Sequence, residues 1–380
     1  MKVLHVITGL SQGGAESALF RLVTSQHSKV KSVVVSMMDL GVYGHLLKKS
    51  GIEVHMLAMP RGKITISGLK KLWKLIKHLK PDVVQTWMYH ADLIGGIIAR
   101  LAGLKAIAWG IVNFNLNSDG ASFSTRVAAK LCASLSGIVP TLIISCSERA
   151  VSSHVDVGYQ KNKFIIIPLG YDLSLYNENQ FSRKIIREKW GFSEEHIVLG
   201  CLARWDPQKD HRNLLIAIEL LRDKYPFVKL VLAGPGIDQR NNELVTLIKQ
   251  TNGDEDRIIL GGLVDDVPSV MNAFDIHILS SMGEAFPNVV AEAMACCTPC
   301  VVTDVGDAAA IVGNTGWVAP PKNHVLLAEV IEKAIQEVSQ TELWQLRRKA
   351  SRERIVENYS MRQMNETYEK EWRIISSNTI

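Results

Sequence analysis

Two glutamates, Glu284 and Glu292, stand eight positions apart in the stretch "GEAFPNVVAE", which leads into the apolar run "AMACC". The pattern predicts a loop followed by a short helix that begins close to Pro287. A helix start carries unpaired backbone N–H groups and the positive end of the helix dipole, so it favours an anion such as a phosphate. Carboxylates around that start could bind the hydroxyls of a sugar and a ribose, or could only stabilise the helix.

Two cations, Arg204 and Lys209, lie in "ARWDPQKDH", directly after the apolar run "HIVLGCLA". That run predicts a strand, so both cations fall in the turn between a strand and the next helix. Cations at a strand end suit a diphosphate, whose departure requires neutralisation of the negative charge that develops on it. The alternative is a solvated loop.

Glycines occupy two other turns that follow predicted strands. Gly13 and Gly14 follow "KVLHVIT", and Gly234 and Gly236 stand in "AGPGID" after "VKLVLA". Glycine lets the backbone approach a ligand closely, and a helix start favours an anion. Each pair therefore predicts either a contact with an anionic ligand or only a tight turn.

Short β-branched runs alternate with helical stretches along the whole chain of 380 residues. Such alternation predicts an α/β fold with parallel sheets covered by helices on both faces, and the length favours two domains. We expect a first Rossmann-like domain over residues 1–170, a linker region over 171–195 that is rich in turn formers and charges, and a second domain over 196–358. Ligands in such sheets bind beyond the carboxyl ends of the strands.

The order of these motifs resembles the retaining glycosyltransferases of family 4. The resemblance rests on Gly-Gly-Ala-Glu near the start, Arg-x4-Lys, Gly-x-Gly, and Glu-x7-Glu followed by "AMA", and it spans nearly the whole chain. It implies the GT-B fold, in which two Rossmann-like domains face each other across a cleft and a C-terminal helix, here residues 359–380, packs on the first domain. It also implies that the first domain serves the acceptor and the second binds the nucleotide-sugar.

The family implies transfer of a hexosyl or N-acetylhexosaminyl group from a UDP-linked donor with retention of configuration, with no cofactor and no obligatory metal. The acceptor would be a glycan or a lipid-linked glycan of surface polysaccharide, such as lipopolysaccharide. Two alternatives stay open: a nucleotide-sugar 2-epimerase, and a non-catalytic partner that binds nucleotide-sugars. "DED" at residues 254–256 is interpreted as a solvated turn and not as a metal site.

The resemblance also implies roles for particular residues. Glu284 would hold hydroxyls of the donor sugar, Glu292 would bind the ribose, and Arg204 and Lys209 would carry the charge of the leaving diphosphate. Further residues are expected to bind substrate or nucleotide: backbone near Phe286, Pro287, Asn288 and Val289 at the diphosphate, Gly262 and Leu263 against the base, and Gly13, Gly14, Gly234 and Gly236 in their turns.

One position departs from the family pattern. Relatives often have a histidine where Asn113 stands in "WGIVNFNL", and asparagine can donate a hydrogen bond but cannot titrate near neutral pH. His90, just past the strand "DVVQTWM", is the other catalytic candidate, although a lone histidine there is also typical of a structural role.

The charge of the chain is divided unevenly. Residues 1–170 contain 20 Lys and Arg against 8 Asp and Glu, a balance of +12, although the whole chain carries only +5. The segment "GLKKLWKLIKHLKP", residues 68–81, predicts a helix with an apolar stripe of Leu69, Leu72, Trp73, Ile76 and Leu79. Its lysines, among them Lys70, Lys71, Lys74 and Lys77, predict binding to an anionic membrane surface.

Other function classes are disfavoured. No aromatic-basic motif typical of nucleic-acid binding accompanies the lysines. We expect a cytoplasmic protein, because the N-terminus resembles a first strand and not a signal peptide. The lysines of residues 68–81 would make it peripheral on the inner face of the cell membrane. The six scattered cysteines fit a reducing compartment, and the spacing of Cys297 and Cys300 is interpreted as packing and not as a redox motif.

Overall fold

A computed structural model describes residues 1–11, 13–112, 122–251, 257–284 and 286–377 of the chain. The chain divides into two units. The first comprises residues 1–170 and 360–380, and the second comprises residues 171–359. Within the described residues, no helix combines the length and the apolar character needed to cross a membrane.

In the described part of the first unit, seven strands form one sheet in the order β3-β2-β1-β4-β5-β6-β7, and every pairing is parallel. The strands are β1 (Lys2–Ile7), β2 (Lys31–Ser36), β3 (Glu53–Met56), β4 (Val83–Trp87), β5 (Ile107–Ile111), β6 (Leu142–Ser145) and β7 (Phe164–Ile166). The helices between them are α1 (Gly14–Thr24), α2 (Gly41–Lys49), α3 (Ile66–Leu79), α4 (Tyr89–Leu101), α5 (Phe123–Leu135) and α6 (Glu148–Asp156).

The central strands of this sheet are buried along nearly their whole length. All five residues of β4 and of β5 are buried, and β2 is exposed only at Lys31. Burial on both faces explains why these strands are continuous β-branched or apolar runs without alternation, as is typical of parallel sheets that helices cover on both sides. The predicted α/β class is confirmed here.

In the described part of the second unit, six parallel strands form a sheet in the order β10-β9-β8-β11-β12-β13. The strands are β8 (Ile197–Leu202), β9 (Val228–Ala233), β10 (Ile258–Leu260), β11 (Ile276–Leu279), β12 (Cys300–Thr303) and β13 (Trp317–Ala319). The helices are α7 (Gln180–Lys189), α8 (His211–Glu219), α9 (Asn242–Gln250), α10 (Val267–Ala273), α11 (Asn288–Ala295), α12 (Ala308–Val312), α13 (His324–Val338) and α14 (Thr341–Asn358).

The segment expected to be a linker, residues 171–195, belongs to the second unit instead. Its helix α7 carries Arg187, which is 1% exposed and donates from Nη1 to Asp275 Oδ2 at 3.1 Å. Arg183 donates to Asp275 Oδ1 at 2.7 Å, and the Val198 amide donates to Oδ2 at 2.7 Å. A buried carboxylate that gathers two guanidinium groups and a strand amide fixes α7 to the sheet, because breaking such a pair leaves an unpaired buried charge. The charge-rich composition of residues 171–195 therefore does not indicate a linker.

The last helix, α15 (Met361–Ser377), belongs to the first unit, in agreement with the predicted fold class. The Trp372 side chain is 1% exposed, and its indole N–H donates to Gln85 Oε1 of β4 at 3.1 Å. The same ring meets the His5 ring of β1 edge-on, with 5.5 Å between the centroids. The Lys29 amide donates to Glu369 Oε1 at 2.6 Å. These contacts join α15 to β1, to β4 and to the segment just before β2.

Candidate functional site

Each sheet contains one place where the strand order reverses. In the second unit, the chain passes from β8 to β9 and β10 on one side, and then returns to β11 and continues on the other side. Ligands of open parallel sheets bind in the crevice outside the carboxyl ends of the strands at such a switch point. The loop after β8 carries Arg204 and Lys209, and the loop after β11 carries Glu284, so the topology brings these residues together.

Backbone and hydroxyl hydrogen bonds connect these two loops. Ser280 Oγ donates to the Lys209 carbonyl at 2.8 Å, and the Met282 amide donates to the Gln208 carbonyl at 2.7 Å. Thr303, at the end of β12, donates from Oγ1 to the Ser281 carbonyl at 2.7 Å. The loops therefore form one connected layer over the ends of β8, β11 and β12.

Lys209 and Glu284 form an ion pair in this layer, in which Lys209 Nζ donates to Glu284 Oε1. Ser281 Oγ donates to the same carboxylate oxygen at 2.7 Å. The two charged side chains are only 16% and 15% exposed. Partial removal from water strengthens their attraction, so the pair holds the carboxylate in one orientation. The structure thus joins two of the residues that the sequence predicted to act at the site.

Arg204 lies beside this pair in sequence but is 57% exposed. Its guanidinium donates to Asp206 Oδ2 at 3.0 Å, and Asp206 Oδ1 accepts from the Gln208 amide at 2.9 Å. Burial raises the pKa of Asp206, but the bonds from the Gln208 amide and Arg204 outweigh burial and lower this pKa below its ordinary value. Asp206 is therefore ionised at neutral pH and positions Arg204 at the edge of the loop.

The glycine turns after β9 and β10 lie next to the β8 loop. The Gly234 amide donates to the Gly262 carbonyl at 2.7 Å, and the Trp205 amide donates to the Pro235 carbonyl at 2.8 Å. Gly234 has φ of +134°, and a Cβ atom there would stand 2.3 Å from the Ala203 carbonyl oxygen. Only glycine permits this approach of two loops. The tight-turn interpretation is therefore sufficient for Gly234.

Gly236 and Gly262 also have positive φ, of +77° and +68°. A Cβ atom on Gly236 would stand 3.0 Å from Trp205 Cβ, whereas nothing lies within 4 Å of the Cβ position on Gly262. Leu263, which follows, is 71% exposed. Gly262 and Leu263 thus present an open, partly apolar surface beside the β8 loop. Contact of this surface with the base stays a prediction.

Helix α11 begins at Asn288, and among the described residues no side chain caps its start. The first N–H groups of a helix lack intrahelical partners. The Phe286 ring is buried and packs edge-on against Tyr359 at 5.7 Å, and Asn288 Oδ1 accepts from Tyr171 Oη at 2.6 Å. The side chains of Phe286 and Asn288 thus serve to position the helix. The groups of this segment that could bind an anion are therefore its backbone N–H groups and not these two side chains.

The remaining predicted residues of this segment lie at or within the start of α11. Pro287 is buried and stands directly before α11, and Val289 is partly buried in the first turn of that helix. Glu292 is partly buried in the second turn, one turn beyond Val289. Glu292 and Glu284 therefore lie on either side of the same helix start.

The switch point of the first unit lies between β1 and β4. Gly13 and Gly14 follow β1 and are exposed at the start of α1, and His90 follows β4 in the first turn of α4. Burial lowers the pKa of His90, so its imidazole is neutral at pH 7. The topology therefore brings the glycine turn and His90 to the same sheet edge. Asn113 lies outside the described residues, as do residues 254–256.

Three residues of the second unit that support the site were not predicted. Ser281 and Asp206 bind the predicted residues Glu284 and Arg204, and Tyr171 binds Asn288. Asp206 had a local signal, because Asp followed by Pro typically caps a helical turn. Tyr171 had none, because Asn288 lies 117 positions away and nothing in a sequence shows which distant side chain a hydroxyl will reach. Ser281 stands three positions before Glu284, but no motif indicated that the two would bind. Among the described residues, no three His, Cys, Asp or Glu side chains form a group that could hold a metal ion.

Comparison with known proteins gives one family match and several curated relatives. Residues 182–354 match the family described as glycosyl transferases group 1. The putative glycosyltransferase EpsF of Bacillus subtilis (strain 168) is 24% identical over 309 residues, which cover 80% of this chain and 79% of EpsF. The UDP-Gal:alpha-D-GlcNAc-diphosphoundecaprenol alpha-1,3-galactosyltransferase of Escherichia coli is 24% identical over 336 residues, which cover 76% and 83% of the two chains.

Solved structures share the fold over the whole chain. Anabaena Alr3699/HepE, crystallised in complex with UDP, superposes with a TM-score of 0.84 at 22% identity and covers 97% of this chain and 99% of its own. A glycosyltransferase from Rickettsia africae ESF-5 superposes with a TM-score of 0.84 at 18% identity, covering 99% of each chain. The predicted fold class is therefore confirmed by comparison as well.

Proposed function

Because this chain belongs to the group 1 glycosyltransferases of the GT-B fold, we propose that it transfers a hexosyl or N-acetylhexosaminyl group from a UDP-sugar to a glycan or lipid-linked acceptor. The reaction retains the configuration of the transferred sugar and serves the synthesis of surface polysaccharide. The observation that carries this proposal is the ion pair of Lys209 and Glu284 at the switch point of the second sheet.

The pair suits a donor made of a sugar and a diphosphate. A carboxylate binds sugar hydroxyls, and Lys209 and Arg204 supply positive charge to a leaving diphosphate without a metal ion. The start of α11 adds backbone N–H groups to the phosphate oxygens, and Glu292, one turn further, accepts from the ribose hydroxyls. Each group therefore has one partner on a nucleotide-sugar.

In the proposed reaction, the bond between the sugar C1 and the diphosphate oxygen breaks, and the acceptor oxygen forms its bond to C1 on the same face. The electron pair of the broken bond remains on UDP, where Lys209 and Arg204 neutralise it. The proton of the acceptor hydroxyl passes to the departing phosphate oxygen, so no protein base is required. This assignment leaves His90 to orient the acceptor or donor sugar as a neutral hydrogen-bonding group.

The relatives support the choice of donor and acceptor. The Escherichia coli relative is named for UDP-Gal and for an acceptor linked to diphosphoundecaprenol, and HepE was crystallised with UDP. Other relatives are named for capsular polysaccharide and teichuronic acid biosynthesis. A UDP-sugar and a lipid-linked acceptor are therefore the first substrates to test.

The test begins with a thermal-shift panel of UDP-glucose, UDP-galactose, UDP-N-acetylglucosamine, UDP-N-acetylgalactosamine, GDP-mannose and ADP-glucose. A ligand at a hundredfold its dissociation constant stabilises the unit that binds it by about 2.7 kcal/mol. In a unit of this size, that corresponds to roughly 5–10 °C. The best donor is then incubated with a polyprenyl-diphosphate sugar, and the anomeric coupling of the product is measured by NMR.

We expect stabilisation by at least one UDP-sugar and a product whose linkage has the donor's configuration. A product of opposite configuration would refute retention. Stabilisation by GDP- or ADP-sugars alone would refute the choice of base. An epimer formed from donor without acceptor would instead identify a 2-epimerase, and binding without transfer to any glycan would identify a non-catalytic partner.

A further inference from the structure

The solvent side of α3, together with the loop before it, forms a basic surface with apolar residues around the start of the helix and at its middle. We call it the α3 surface. Its cations are Arg61, Lys63, Lys70, Lys71, Lys74, Lys77 and Lys80, all exposed, and its apolar members are Ile64, Ile66 and Trp73.

The opposite side of α3 is fixed to the first unit without help from these residues. Leu72 and Ile76 are buried in the core of that unit. Thr65 caps the helix by accepting from the Gly68 amide at 3.2 Å, and a Cβ atom on Gly68 would stand 2.4 Å from Met59 Cε. The helix thus packs closely through small and aliphatic residues. Among the lysines, Lys71 adds a hydrogen bond from its Nζ to the Met56 carbonyl, whereas the exposed side chains of Lys70, Lys74 and Lys77 are not part of this packing.

The structure corrects the predicted apolar stripe of this helix. Leu69, Leu72, Ile76 and Leu79 belong to the buried side or pack against it, but Trp73 is 42% exposed. Lys77 Nζ lies 5.9 Å from the centroid of the Trp73 ring, on the solvent side. Trp73 is therefore a member of the α3 surface and not of the core.

Two more apolar side chains continue this surface towards the start of α3. Ile64 is 59% exposed and Ile66 is 74% exposed. Packing of the first unit explains neither, because β-branched apolar side chains gain stability only when they leave water. A bilayer interface offers that environment, and tryptophan prefers the same depth.

The charge of the α3 surface is uncompensated. Residues 54–81 contain seven Lys and Arg residues and no Asp or Glu. Within the ranges that the structure describes, no carboxylate forms an ion pair with any of the seven; Lys71 donates instead to the Met56 carbonyl at 2.6 Å. An ordinary surface helix mixes charges of both signs, and a face of one sign attracts a surface of the opposite sign.

We propose that the α3 surface docks the first unit on a bilayer that contains anionic phospholipids. The lysines contact the headgroups, and Ile64, Ile66 and Trp73 enter the interface between headgroups and acyl chains. A helix with lysines on one side and bulky apolar residues beside them is the form that lies in the plane of an interface. Docking goes beyond the proposed transfer reaction, and it would bring the enzyme to an acceptor that is held in the membrane.

The first measurement is sedimentation of the full chain with sucrose-loaded vesicles. One set contains phosphatidylcholine alone, and the other contains phosphatidylcholine with 30% phosphatidylglycerol, each at 50 and 500 mM NaCl. The test variant is Lys70→Gln with Lys74→Gln and Lys77→Gln. The matched control is Lys189→Gln with Lys249→Gln and Lys333→Gln, three exposed helix lysines of the second unit that remove the same charge.

We expect binding to anionic vesicles at low salt that is weakened at high salt and absent from neutral vesicles. The test variant should bind about a hundredfold more weakly, whereas the control should bind as the natural chain does. Equal losses in both variants would show that only net charge matters and would overturn the proposal. Failure of the natural chain to bind anionic vesicles at low salt would also overturn the proposal. So would displacement of the chain from the vesicles by duplex DNA at an equal concentration of charge, if the chain binds that DNA more tightly.

A second measurement tests the apolar part of the surface. Acyl-chain-brominated phospholipids quench tryptophan only when the indole enters the interface. We expect quenching in the natural chain that Trp73→Phe abolishes, and an unchanged melting temperature in every variant, because the substituted side chains lie in solvent. Quenching that persists in Trp73→Phe would overturn the assignment of this face. Both measurements are made without donor or acceptor, so they are independent of the proposed reaction.

Discussion

Lys209→Met is the most informative single change in the candidate site. Methionine keeps most of the length of the side chain and removes its charge, so the change isolates the ion pair with Glu284. If Lys209 neutralises the leaving diphosphate, its loss removes an interaction that is strongest in the transition state. Removing one such group costs about 2.7–4 kcal/mol, or a factor of about 100 to 1,000 in kcat. The KM for the donor should change much less.

The same change also affects stability, and the structure sets the scale. The side chains of Lys209 and Glu284 are 16% and 15% exposed, so the pair lies between an exposed one and a fully buried one. Exposed pairs contribute up to about 1 kcal/mol, and breaking a buried pair costs about 3–5 kcal/mol. We therefore expect a loss of about 2 kcal/mol, which lowers the melting temperature of the second unit by roughly 4–8 °C.

Two further variants separate catalysis from stability. Glu284→Gln combined with Lys209→Met leaves no unpaired charge in the layer, so the melting temperature should recover while kcat stays low. Lys224→Met breaks another lysine–glutamate pair of the same unit, with Glu332, in which the lysine is 63% exposed, and should change neither quantity noticeably. Full turnover in Lys209→Met, or recovery of turnover in the double variant, would show that the pair is only structural.

Three other changes test different parts of the chain. Trp372→Ala should cost about 3–5 kcal/mol and lower the melting temperature of the first unit by roughly 10 °C, because it empties a buried site and leaves Gln85 without its donor. Trp73→Ala, a control that removes an exposed indole, should have little effect. Equal melting temperatures of the two variants would contradict the packing of α15 on the first sheet. Burial lowers the pKa of His277 to about 3, below its value of 6.5 in the unfolded chain. The contribution of the neutral His277 to the free energy of unfolding is therefore fully present above pH 6.5, and it is lost as the pH drops from 6.5 towards 3. His277→Met should make that fall shallower by about 1.4 kcal/mol per pH unit in denaturation at pH 4–6, and unchanged slopes would show that this histidine does not contribute. Glu292→Ala should weaken UDP binding by about 10- to 100-fold in calorimetry and leave kcat at saturating donor nearly intact, with Glu292→Gln in between; an unchanged dissociation constant would remove Glu292 from the ribose site.

Local patterns in the sequence were sufficient to predict the class of fold and the motifs of the site. The β-branched runs are strands because residues buried on both faces of a sheet are mostly apolar, and this property is visible without coordinates. The Glu-x7-Glu element and the pair of Arg204 and Lys209 were equally visible, because the members of each motif lie fewer than ten positions apart. Each motif also follows an apolar run, and this order predicts that both motifs lie at the carboxyl ends of strands.

Other features depended on neighbours that are distant in the chain. Residues 171–195 look like a linker by composition, but Asp275 binds Arg183 and Arg187 from 92 and 88 positions away. Trp73 has the spacing of a core residue, yet its side chain is 42% exposed while Leu72 and Ile76 of the same helix are buried. Both features depend on which surface each side chain packs against, whereas periodicity shows only that a helix has an apolar side and a polar side.

The sequence by itself determined the types of the elements, their order, and the chemical groups available for a nucleotide-sugar, since these follow from local propensity and from residue identity. Only the tertiary structure decided that β8 and β11 are neighbours, although two strands and three helices separate them in the chain. That adjacency brings Lys209 to Glu284 across 75 positions and lets Ser280 Oγ donate to the Lys209 carbonyl. The physical reason is that strand order results from the burial of the whole sheet at once, and no local stretch of the chain contains that information.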